Sequence, residues 1–218
     1  MTLAYSYFIL LRITLFSTLI ISFLFCYREY NPKYLRIFPI YHLLACTAEI
    51  VTDLYYVEVG AFKTSSNIIY NLYTLAEALI FSIFLLTQFH RKKYKLILYI
   101  GLSIIILSFS AFIYSNNTLN FPFWKINLIV TLFYILMCLL YFIYIIKELP
   151  YTNLLKEPSF WIMSGFLFYS TIEAPTIPVI VNYTPLAIEG SLYVAVNETA
   201  YIILYLLCIK AYTCRIPK

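Results

Sequence analysis

Charge is what this chain has least of. Asp, Glu, Lys and Arg make up 11% of its 218 residues, against 63% hydrophobic. An ordinary soluble domain is about a quarter charged and about half apolar, and much of a chain this size stays at the surface. A soluble fold is therefore excluded and an integral membrane protein is indicated. Histidine is nearly missing as well, with two copies, which leaves little for the several membrane histidines of a ceramidase-type zinc site. Cys26, Cys46, Cys138, Cys208 and Cys214 follow no metal or disulfide spacing. No GxSxG elbow and no HExxH helix occurs. The last apolar segment lacks the internal lysine of a retinal protein, since Lys210 comes only at its end. No connection is long enough to fold as a kinase or nuclease. No cofactor is called for. The net charge of +5 does not signal nucleic acid, because the basic residues flank apolar segments.

Present instead are seven apolar segments: Tyr5–Cys26, Leu35–Val57, Asn67–Phe89, Leu96–Tyr114, Phe123–Ile146, Phe160–Val181 and Ser191–Ile209. Each is long enough to cross a bilayer as a helix, and none alternates as a barrel strand would. The expected fold is all-α, one domain over residues 1–218, with seven transmembrane helices. The start, Met1 to Tyr7, has no positive charge, so the first segment reads as a true span rather than a cleaved signal peptide. Arg28, Lys33, Arg36, Arg91, Lys92, Lys93, Lys95, Lys147, Lys156, Lys210, Arg215 and Lys218 all fall on one side. The other side has Lys63 and Lys125, and Arg12 lies inside the first helix. The positive-inside rule then puts the N-terminus outside and the C-terminus in the cytoplasm. Tyrosine is abundant, with 23 copies. Many stand at segment ends as interfacial anchors, so their number carries little functional weight.

The informative residues are carboxylates inside the spans. Glu49 and Asp53 lie on helix 2, Glu77 on helix 3, Glu173 on helix 6 and Glu198 on helix 7. The four glutamates each lie roughly seven to ten residues from the outer end of their helix, which at 1.5 Å per residue puts them in one layer. Arg12 is at the same depth. A carboxylate at mid-membrane costs about 2.5–3.5 kcal/mol, so the layer must face inward, and the neutral acid is the cheaper form for any member left unpaired. His42, Glu49, Asp53 and Tyr56 form one stripe along helix 2. Asn71 accompanies Glu77, and Asn197 accompanies Glu198. In helix 6, Pro175 and Pro178 would leave the carbonyls of Thr171 and Ala174 without helix partners, close to Glu173. Free carbonyls beside a carboxylate can form a cation site or an ordinary kink satisfied by Thr side chains.

Helices 1, 4 and 5 carry no acid, and Thr47-Ala48-Glu49 matches Thr171-Ile172-Glu173. That order suggests a 3+1+3 arrangement of parallel repeats, as in sugar-transporter folds of the SWEET kind. The stretches Tyr70-Asn71-Leu72-Tyr73-Thr74-Leu75-Ala76-Glu77-Ala78 and Glu157-Pro158-Ser159-Phe160-Trp161-Ile162-Met163-Ser164-Gly165-Phe166-Leu167-Phe168-Tyr169 resemble uncharacterised small seven-helix membrane proteins of Bacteroidota-type bacteria. The resemblance implies a multi-pass inner-membrane location and brings no activity with it.

The expected function is an outward-facing acidic pocket formed by Glu49, Asp53, Glu77, Glu173, Glu198, Arg12, Asn71, Asn197 and His42. It would bind, and as a transporter move, a small cationic or polar solute. Two other readings use the same residues. One is a sensor that signals through a separate cytoplasmic partner. The other is a structural subunit whose polar groups only join helices. Enzymatic acid–base chemistry by paired carboxylates has no visible substrate. The expected surroundings are the lipid bilayer.

Overall fold

The computed structural model describes residues 2–28, 31–59, 65–116, 118–119, 122–148, 153–183 and 189–214; side chains are described for these except 2–8, 53–59, 65–66, 180–183 and 189–191. Among the described residues the chain forms seven α-helices and no strand. These are α1 (Thr2–Cys26), α2 (Phe38–Val59), α3 (Ser65–Gln88), α4 (Lys92–Asn116), α5 (Phe123–Glu148), α6 (Pro158–Tyr183) and α7 (Glu189–Thr213). Short 3₁₀ turns at Lys33–Ile37 and Leu154–Lys156 precede α2 and α6. Pro39 and Pro158 stand in first turns, where a missing N–H costs nothing. Leu35 to Ile37, expected at the start of the second span, belong to the 3₁₀ turn instead. α4 begins four residues earlier than Leu96, at Lys92, so its first turn is part of the basic cluster.

Six helices, α1 to α5 and α7, are long and apolar enough to cross a membrane. α6 is equally long, with 26 residues, and carries Glu173, Pro175 and Pro178 within it. The surface fits a lipid exterior. Ile13, Ile20 and Leu24 of α1, Leu96, Ile100 and Leu107 of α4, and Leu132, Leu136 and Leu139 of α5 are exposed, far more contiguous apolar surface than a soluble monomer shows. The interior holds the polar groups: His42, Asn71, Glu77, Asn127, Glu173 and Asn197 are all buried.

The helices close a ring. α1 packs on α2, α2 on α3, α3 on α5, α5 on α6, α6 on α7, and α7 returns to α1. Among the described residues α4 packs mainly on its neighbours α3 and α5 and is the least buried of the six apolar helices. Its one buried stripe, Tyr94, Leu98, Ile105 and Phe109, has helical spacing. Small residues set the closest approaches. On α1, Thr14, Thr18 and Ser22 form a buried seam and return their hydroxyls to the carbonyls of Leu10, Thr14 and Leu19, so no polar group stands between the helices. Gly165 does the same on α6, where Leu204 of α7 closes over it.

The basic connections gather at one end of the ring, as their alternation in sequence requires. Arg91 pairs with Glu148 at 2.8 Å. Asn31 Nδ2 donates to the Tyr212 carbonyl at 3.3 Å. The Lys210 ammonium lies 5.9 Å from the Trp161 ring centre. Lys63, Arg215 and Lys218 lie outside the described residues.

Candidate functional site

The acids form two clusters, set by the helix order. The first joins α3 to α6. Glu77 is 5% exposed and Glu173 is 2% exposed, and their carboxyl groups are close enough to interact electrostatically. Tyr41 of α2 donates from its hydroxyl to Glu77 Oε1 at 3.0 Å. Tyr73 and Tyr134 hydroxyls also lie beside the Glu77 carboxyl. On the other acid, Tyr201 of α7 donates to Glu173 Oε1 at 3.3 Å, and Tyr169 donates to the Tyr201 oxygen at 2.6 Å. The Asn127 side chain faces Glu173 from α5. Five helices thus send a hydroxyl, amide or carboxyl group to one buried centre. The aromatic bodies fill the space around it, with Tyr169 and Tyr201 rings 4.4 Å apart.

The second cluster lies where α1, α2 and α7 meet. Glu198 interacts electrostatically with both Glu49 and Arg12. Tyr205, buried on α7, is within electrostatic reach of Glu49 and of Glu77, so it stands between the two clusters. The one layer expected from helix depth is therefore divided. Depth alone said nothing of which helices are neighbours, and the ring puts α3 nearer α6 and α2 nearer α7.

The remaining expected site residues have separate places. His42 is buried near the basic end, its Nε2 hydrogen-bonded to the Tyr212 hydroxyl and its ring packed against Phe38, Tyr41 and Tyr205. It acts as a core histidine joining α2 to α7. Asn71 Nδ2 donates to the Leu119 carbonyl at 2.9 Å and so ties α3 to the connection between α4 and α5. Asn197 Oδ1 accepts from Thr176 Oγ1 at 3.3 Å. The Asp53 side chain lies outside the described residues. Near the prolines α6 stays helical. The Thr176 hydroxyl lies 2.9 Å from the Ile172 carbonyl and 3.2 Å from that of Glu173. These are not the carbonyls of Thr171 and Ala174, the two that Pro175 and Pro178 deprive of a helix partner.

The tyrosines are the part that sequence reading undervalued. Their count is uninformative, but Asn197, Tyr201 and Tyr205 recur at four residues on the side of α7 that meets the acids, and Tyr212, seven residues on, continues the stripe to His42. Among the described residues no group of His, Cys, Asp and Glu is placed to hold a metal ion.

The Tyr169–Tyr201–Glu173 chain gives a stability prediction. Tyr201→Phe removes the hydroxyl that is both acceptor and donor, leaving a buried hydroxyl and a buried carboxyl short of a partner. The expected loss is about 1–3 kcal/mol, read as a lower midpoint in detergent unfolding. Tyr169→Phe removes a hydroxyl that meets both the Tyr201 oxygen and the Glu173 carboxyl and is expected to cost a similar amount.

Compared with protein-family models, with curated proteins and with solved structures, the chain matches none of them.

Proposed function

We propose that this protein is a multi-pass inner-membrane protein that binds a small cationic or polar solute at its intramembrane acids and moves it across the bilayer. One observation carries the reading. Two glutamates from separate helices, Glu77 and Glu173, are buried against each other with hydroxyl groups converging on both. Two like acids are not needed to join helices. Interhelical hydrogen bonds average about 0.6 kcal/mol each, a small return for burying two ionisable groups at about 2.5–3.5 kcal/mol apiece. A site that binds positive charge and exchanges protons gives both acids a purpose.

In this reading all seven helices cross the membrane, α6 included, with the N-terminus outside. Support for a 3+1+3 repeat comes from the ring order. Exchanging α1 with α5, α2 with α6 and α3 with α7 preserves every neighbour in the ring and leaves α4 outside as the linker. The same exchange carries the Glu77–Glu173 pair onto the Glu198–Glu49 pair. Arg12 beside Glu198 then corresponds to Tyr134 beside Glu77. Two related half-sites suit a carrier in which one three-helix unit rocks against the other.

The test is ligand-dependent stability of the purified protein against sodium, potassium and small organic cations. A ligand at 100 times its dissociation constant adds about 2.7 kcal/mol. At least one cation is expected to raise the unfolding midpoint of the wild type and not that of Glu77→Gln. A flat response to every cation would count against the proposal.

A further inference from the structure

A cavity of about 340 Å³ lies at the basic end of the ring, away from the acid clusters. That volume falls within the range of about 300–1,000 Å³ seen for small-molecule sites. Its wall includes Glu157 and Ser159 at the start of α6, Gln88 and His90 at the end of α3, Tyr144 on α5, and Tyr34 from the 3₁₀ turn before α2. Tyr141, also in the wall, donates to Ser159 Oγ at 2.6 Å and fixes that side.

The wall favours a cation. Glu157 is its one carboxylate. α3 and α5 both finish here with partial negative charge at their ends, while α6 begins here with partial positive charge beside Glu157. Tyrosine rings attract a positive group further. Gln88, Ser159 and the tyrosine hydroxyls offer acceptors for N–H donors. Of the surface cations at this end, Arg91 at 2.8 Å and Lys93 at 3.8 Å are paired with Glu148. Glu157 is half-buried, and burial raises its carboxyl above the ordinary 4.5. An ammonium group would offset that cost.

We propose that this cavity binds a small primary ammonium ion at the basic end of the bundle, with Glu157 holding its charge. The site shares no residue with the acid clusters and does not depend on their role. Tyr34, Tyr141, Tyr144, Cys214 and His90 surround Glu157, and Lys156 precedes it in the chain. Affinity rises with pH as Glu157 ionises.

Trp161 reports on the site, because it lies one turn along α6 from Glu157 and donates to the Leu155 carbonyl at 2.9 Å. In a Trp124→Phe background it is the sole tryptophan, as the chain has two. Phenethylamine is the probe and 2-phenylethanol its neutral counterpart. The amine is expected to change Trp161 fluorescence saturably and the alcohol to leave it unchanged. Glu157→Gln is expected to weaken the amine about tenfold or more. Gln88→Glu, which adds a second carboxylate, is expected to tighten it. Glu77→Gln is expected to bind as the wild type does, which separates this site from the intramembrane acids. No saturable response, equal responses to amine and alcohol, or unchanged affinity in both Glu157→Gln and Gln88→Glu would overturn the proposal.

Discussion

Glu77→Gln is expected to abolish solute movement while leaving the bundle folded. Glutamine has the size of glutamate and keeps a carbonyl oxygen for the Tyr41 hydroxyl, now 3.0 Å from Glu77 Oε1. The packing of Tyr73 and Tyr134 around position 77 is retained. What is lost is the negative charge and the exchangeable proton. Truncating a buried charge partner costs about 2–5 kcal/mol in binding, so transport of a cation should fall about a hundredfold or more. Glu77→Leu differs in kind. It leaves the Tyr41 hydroxyl buried without an acceptor, at about 1–3 kcal/mol, and should lower stability as well as transport. The pair of variants, assayed for vesicle uptake and for unfolding midpoint, separates the site's chemistry from its packing. If glutamine lowered stability as much as leucine, the carboxyl group would be chiefly structural.

Gly165→Leu is expected to destabilise the bundle strongly. A Cβ at Gly165 would stand 3.0 Å from Leu204 Cδ1, 3.4 Å from Leu207 Cβ and 3.5 Å from the Leu204 carbonyl oxygen. The first atom ends a flexible side chain and can move, so Gly165→Ala is tolerable. The other two belong to the body of α7 and move only with the helix. A leucine therefore forces α6 from α7, and overpacking of this kind costs about 1–3 kcal/mol or more. The same interface holds Tyr201 against Glu173 and Thr176 against Asn197. Gly165→Leu should thus disturb the acid centre about two turns away as well as lower the unfolding midpoint. Gly165→Ala is the control, since only the end of the Leu204 side chain must give way to it. Its loss should be smaller. Equal midpoints for Gly165→Ala and Gly165→Leu would contradict the tight α6–α7 contact.

Helix existence is legible in the sequence because a span is a long apolar run with its own hydrogen bonds, so the signal is local. The basic residues were legible as one group for the same reason. Pairing was not. Glu49 and Glu77 look equivalent in sequence, each a lone glutamate at similar depth, yet they belong to different clusters. The difference comes from α4 lying outside the ring, which brings α3 against α5 and so toward α6. His42 shares the helical stripe of Glu49 but lies about two turns nearer the basic end, where it meets Tyr212. Stripe membership gave its direction and not its partner. The number of tyrosines says little and their positions say more, since a buried hydroxyl needs a partner and the acids supply one to Tyr41 and Tyr201.

The most direct test of the central claim uses proteoliposomes that enclose a pH-sensitive dye. Choline, sodium and potassium are added outside in turn. Choline carries a permanent charge and cannot cross as a neutral amine. At least one cation is expected to shift the internal pH with the wild type, and the shift should vanish with Glu77→Gln and with Glu173→Gln. No shift with any cation, or equal shifts in wild type and both variants, would contradict a solute path through the buried acids.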